Sequence, residues 1–95
     1  MMYKRYYPNE RLIQSLKLKA GMRGEGYISF ANSLMPEDAR TSRSFMSRVF
    51  SRDKAAPVRM MVWLIRFAAL NDNLTDEEAW ALRDDWFDGE EEVNG

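Results

Sequence analysis

Ninety-five residues bound a single domain, and an apolar fraction of 45% with 13% aromatics suffices for a packed core and excludes disorder over most of the chain. The chain has neither cysteine nor histidine, which excludes a disulfide framework and a thiolate metal site and removes the commonest general base and the strongest nucleophile. A net charge of −1 conceals a split: residues 1–66 carry thirteen Lys or Arg against five Asp or Glu, a net of +8, while 67–95 carry Arg83 against ten acids, a net of −9.

That split reads either as a polyanion-binding body with an acidic tail or as two halves that pair with each other. The longest apolar run, Met60 to Ile65, is broken by Arg66 and is too short for a bilayer. Met1 to Tyr7 is basic and aromatic with no apolar stretch behind it, so no secretory leader is expected and a cytoplasmic location is.

Residues 1–8, with Lys4 and Arg5 among Tyr3, Tyr6 and Tyr7, read as an N-terminal arm. A first helix is expected over about Glu10 to Ala20, capped by Asn9 and stopped by Gly21. Leu12, Ile13, Leu16 and Ala20 recur at helical spacing on its inner side, and Arg11 and Lys17 face outward. Gly21, Gly24 and Gly26 mark a loose turn. A second helix runs from about Tyr27 to Leu34, with Ile28, Ala31, Leu34 and Phe30 inward, and Pro36 ends it.

Pro36-Glu37-Asp38 suits a short first turn of helix, while Thr41 or Ser42 can cap a helix that starts later. The main third helix is expected over Arg43 to Ser51. Pro57 opens a fourth helix that reaches about Leu70 and is apolar nearly all round, the pattern of a buried centre. Thr75-Asp76-Glu77-Glu78 is a capping box that starts a fifth helix, with Trp80, Leu82, Trp86 and Phe87 on its packing side. Gly89 stops it, and Glu90 to Gly95 are expected to be disordered. The organisation is an arm at 1–8, a helical domain at 9–88 and an acidic tail at 89–95. The fold expected is all-α, a small five-helix bundle.

The third helix separates by face on a 100° wheel. Phe45, Met46, Val49 and Phe50 fall on one side. Ser44, Ser47, Arg48 and Ser51 fall on the other, with Arg40 in line if the helix extends back. No acid lies between Arg40 and Arg52. Short polar side chains let a helix enter a major groove about 12 Å wide, where arginine reaches guanine edges bidentately. An ordinary surface helix more often mixes Glu with Lys, and four serines in ten residues are poor helix material.

Phe30-Ala31-Asn32-Ser33-Leu34, then Ser42-Arg43-Ser44-Phe45-Met46-Ser47-Arg48-Val49, then Pro57 and Ile65-Arg66-Phe67-Ala68-Ala69-Leu70 resemble the Cro and phage-repressor type of helix-turn-helix domain. The resemblance covers about half the chain and departs from the family in the long stretch Met35 to Thr41 between the two central helices. It implies a helix-turn-helix in which Ser42, Arg43, Ser44, Ser47 and Arg48 meet DNA, and with Arg40 and Thr41 these are the residues expected to read bases. Lys17, Lys19, Arg23, Ser51, Arg52, Lys54 and Arg59 are the expected phosphate contacts. The function it implies is a sequence-specific transcriptional regulator, a small repressor of phage or mobile-element type, acting on double-stranded DNA as a homodimer.

The alternative is a helical protein-interaction module, an inhibitor or adaptor that does not bind DNA. The acidic tail offers a site for a protein partner. Asp84, Asp85 and Asp88 lack the glycine-punctuated geometry of a cation loop, so neither a metal nor a cofactor is expected, and neither a membrane surface nor catalysis is.

Overall fold

A computed structural model of the chain describes residues 2–21 and 26–93. Its elements, in order, are β1 (Met2–Pro8), α1 (Glu10–Lys19), α2 (Gly26–Leu34), α3 (Arg43–Phe50), α4 (Val58–Ala69), α5 (Asp76–Ala81), α6 (Arg83–Trp86) and β2 (Phe87–Val93).

The helices begin where side chains can satisfy the free amides of a first turn. Asn9 Oδ1 accepts from Leu12 N at 3.0 Å, and Ser42 Oγ accepts from Phe45 N at 3.1 Å. Thr75 and Glu78 close a reciprocal capping box on α5. Gly21 stops α1 in the left-handed region, φ 75°, where a side chain is disfavoured.

Helix α4 is the centre. Met60, Met61, Val62, Leu64, Ile65, Phe67 and Ala68 are all buried on it, and α1, α5 and α6 pack around it. Leu12 and Leu16 of α1 are fully enclosed, each worth about 1.5–3 kcal/mol of apolar burial. The one charged residue buried on α4, Arg66, donates from Nε to the Leu74 carbonyl at 2.8 Å and from Nη2 to Asp76 at 2.7 Å. Its guanidinium also lies 4.6 Å from the Trp63 ring centroid. It therefore ties the α4–α5 loop down through a buried cation held by the Leu74 carbonyl and the Asp76 carboxylate.

The all-α expectation is overturned at both chain ends. Residues 2–8 and 87–93 form a two-stranded antiparallel sheet, and the described residues hold six helices rather than five. Neither a free arm nor a disordered stretch from Glu90 to Val93 exists. The register sets Lys4 opposite Glu91, Arg5 opposite Glu90 and Pro8 opposite Phe87, so the basic start meets the acidic end in opposite-charge pairs. Gly89 does not stop a helix but pairs with Tyr6, whose ring covers it: a Cβ there would come within 3.0 Å of Tyr6 Cε1. Tyr6 in turn packs edge-on against Trp80 and accepts from Arg83 Nε at 3.1 Å.

Asn9 locks this junction. Besides capping α1, it donates from its backbone amide to Trp86 O at 3.2 Å and from Nδ2 to Asp85 O at 3.1 Å. The expected fifth helix breaks at Leu82 into α5 and α6, and Phe87 reaches the core as a strand residue. Leu34, expected inward, is 45% exposed, because Ala31 and Met35 fill the core position beneath α2. Among the described residues no helix is long and apolar enough to cross a membrane.

Candidate nucleic-acid interface

Helix α3 divides by face as its periodicity dictates. Met46, Val49 and Phe50 are buried and Phe45 packs partly against them, which turns Arg43, Ser44, Ser47, Arg48 and Ser51 to the surface. With Ile28 of α2 and Asp53 they line an open groove of about 540 Å³. Among the described residues, the side chains of Arg43, Ser44, Ser47 and Arg48 meet no hydrogen-bond or ion-pair partner.

The other expected base-reading residues are engaged in building this face. Ser42 is the helix cap. Thr41 Oγ1 donates to Ser42 O at 2.9 Å, and Arg40, exposed, donates from Nη2 to Met35 O at 2.9 Å.

The long connection between α2 and α3 is an ordered piece. Ala39 N and Arg40 N both donate to Pro36 O at 2.9 Å, so Pro36 to Arg40 makes one helical turn, and Met35 and Ala39 anchor it in the core. Asn32 closes it: its Nδ2 donates to Thr41 O at 2.9 Å, and its Oδ1 accepts from Thr41 N at 3.3 Å. One side chain on α2 thus fixes the residue just before the α3 cap, and with it the seating of α3.

The expected phosphate contacts are scattered in fate. Lys54 is exposed beyond α3, and Ser51 Oγ donates to Arg48 O at 3.1 Å beside Asp53. Lys17 lies 5.5 Å from the Tyr27 ring centroid, and Lys19 donates to the Phe67 carbonyl, capping the end of α4. Arg59 bridges Asp38 at 3.0 Å and Asp76 at 3.3 Å. Arg52, in the left-handed region at φ 69°, pairs with Asp88 at 3.1 Å and Glu90 at 3.6 Å and covers Tyr7. Arg23 lies outside the described residues.

So carboxylates of the acidic half engage Arg52, Arg59 and Arg66, while the exposed face of α3 keeps its charge. Two residues of this site have a role that helical spacing does not signal as it does for α3: Asp53, one position after Arg52, lines the groove, and Asn32 braces Thr41. An Asn inside a helix, where its propensity is poor, is the signal that marks such a brace.

Among the described residues, no group of three or more carboxylates is placed to hold a metal ion. The Tyr27 hydroxyl is pushed above its ordinary value of 10.0, first by burial and then by the Glu10 carboxylate. No protein-family model, curated protein or solved structure matches the chain.

Proposed function

We propose that this protein binds double-stranded DNA through the exposed face of α3 and acts as a sequence-specific transcriptional regulator of the repressor type. One observation carries the reading: two guanidiniums and two hydroxyls, from Arg43, Arg48, Ser44 and Ser47, share one open groove without partners among the described residues, where most of the other described arginines are engaged. An unneutralised basic helix face with short side chains between its arginines suits a major groove and its phosphate walls. The resemblance to Cro-type domains supports the same surface, with α2 as scaffold and α3 as reader. The ordered turn from Pro36 to Arg40 gives the long connection a fixed geometry.

The test is fluorescence anisotropy of the protein with mixed-sequence duplex DNA at several salt concentrations, followed by selection of a preferred site. Binding should weaken linearly in log salt, with a slope of several phosphates. Absence of binding at low salt by a chain that remains folded would overturn the proposal.

A further inference from the structure

The acid-free stretch from Arg40 to Arg52 ends on Asp53, and the end of α3 turns that residue back to line the groove. Arg52 takes the left-handed conformation, φ 69°, that a helix stop usually gives to glycine. Arg52 N donates to Val49 O at 3.1 Å and Asp53 N donates to Arg48 O at 2.9 Å, the paired bonds of a Schellman motif. Ser51 Oγ lies 3.4 Å from Asp53 Oδ2.

The fold gains little from an acid at this position. Asp53 is exposed, and among the described residues it makes no ion pair, not even with Arg48 of the same groove. A carboxylate at a helix C-terminus meets the negative end of the dipole. On a face open to phosphates it is repelled as well. Both effects are unfavourable, and a hydrogen-bond donor on the ligand offsets them.

We infer that Asp53 is a specificity-determining residue of the α3 groove, accepting a hydrogen bond from the exocyclic amine of a cytosine in the DNA major groove. The inference rests on α3 being the DNA-binding face. A carboxylate offers acceptors only, so it suits a base edge that donates. Cytosine presents its N4 amine there, whereas guanine and thymine present acceptors, and adenine sets the acceptor N7 beside its amine. Arg48, whose carbonyl holds Asp53, has donors only and suits guanine O6 and N7. The two side chains line one groove with opposite hydrogen-bonding character, so the target is a site with both guanine and cytosine on the edge that α3 meets. At every other sequence the same carboxylate lowers affinity, because no amine offsets its repulsion from phosphate.

Site selection from random duplexes with wild type and Asp53→Ala, then anisotropy on the wild-type site, tests this. The wild-type site should contain a cytosine that the variant does not select. Replacing that C·G pair by T·A exchanges the amine for a carbonyl. It should cost the wild type roughly tenfold to hundredfold in affinity and Asp53→Ala less than about threefold. Asp53→Ala and Asp53→Asn should each bind random-sequence duplex several-fold more tightly than wild type. Neither should melt lower, since both remove a negative charge from the end of α3.

An Asp53→Ala chain that selects the wild-type site with the same penalty for T·A would overturn the inference and leave DNA binding by α3 standing. Tighter binding to all sequences with that penalty intact would make Asp53 an electrostatic brake alone, and overturns it equally. A wild type that binds no duplex at low salt removes the α3 reading, and this inference with it.

Discussion

Arg48 and Lys54 stand six positions apart, and under the proposed function they would make two different kinds of DNA contact. Arg48 lines the α3 groove, while Lys54 lies exposed beyond the helix end. A guanidinium that reads a base edge contributes about 1–3 kcal/mol of discrimination, so Arg48→Ala should flatten the preference among sequences roughly tenfold to hundredfold. Lys54→Ala should weaken all sequences alike and reduce the salt slope by about one. Anisotropy titrations against the selected site and a scrambled duplex distinguish the two, and equal sequence preference in wild type and Arg48→Ala would sink the assignment.

Asn32 acts through the backbone. Asn32→Ala removes both bonds to Thr41 and should lower stability in urea by about 1–2 kcal/mol, with a larger loss of DNA affinity than of fold. Tyr27 adds a pH dependence. The folded state holds its proton more tightly than the unfolded chain, so its contribution is complete below pH 10.0 and fades as pH rises through the raised value. The stability of wild type relative to Tyr27→Phe should therefore fall as pH rises above 10.0 in thermal melts.

At the scale of elements, strand β2 decides how much basic charge α3 and its C-terminal turn present. Asp88 and Glu90 hold Arg52 against Tyr7 and away from any outside anion. All these groups are about half exposed, so the pairs are weak and a phosphate can compete with them. Replacing Asp88 and Glu90 by Asn and Gln should raise affinity for random-sequence DNA several-fold and steepen the salt slope by about one. An unchanged slope would show that Arg52 does not face the DNA.

The junction of α4 with α5 is built on a stronger contact. Asp76→Ala would leave the enclosed Arg66 guanidinium with the Leu74 carbonyl and the Trp63 ring and strip Arg59 of one partner, a loss of about 2–3 kcal/mol in chemical denaturation.

The whole molecule is closed by its two ends. The strands 2–8 and 87–93, joined to the helices through Asn9, Tyr6 and Phe87, are part of the fold rather than appendages. A chain ending at Trp86 loses Phe87 from the core, where it is 2% exposed, and leaves β1 unpaired. Removing a buried aromatic costs about 3–5 kcal/mol, so this truncation should lower the melting temperature by more than about 10 °C. A free acidic tail would leave it unchanged. The closure also explains how a charge split of +8 and −9 coexists with a basic helix face. Opposite charges meet where the ends pair, where α5 meets α4 and at Arg52, while Arg43 and Arg48 of α3 have no ion-pair partner among the described residues.

The helices were legible in the sequence because their signals are local: Asn9, Ser42 and the Thr75–Glu78 box act within one turn, and the 3.6-residue spacing of α3 and α4 fixes which faces are buried. The same spacing identified Ser44, Ser47, Arg48 and Ser51 as an exposed set, and Arg43 entered only through the resemblance. The sheet was not legible. Its strands lie nearly the whole chain apart, and Phe-Asp-Gly-Glu-Glu-Glu-Val carries residues that strands ordinarily avoid. Only pairing with a basic, tyrosine-rich partner makes it a strand. Which arginines stay unneutralised is likewise a matter of distance in space, since Arg48 and Arg52 differ only in what the fold brings beside them.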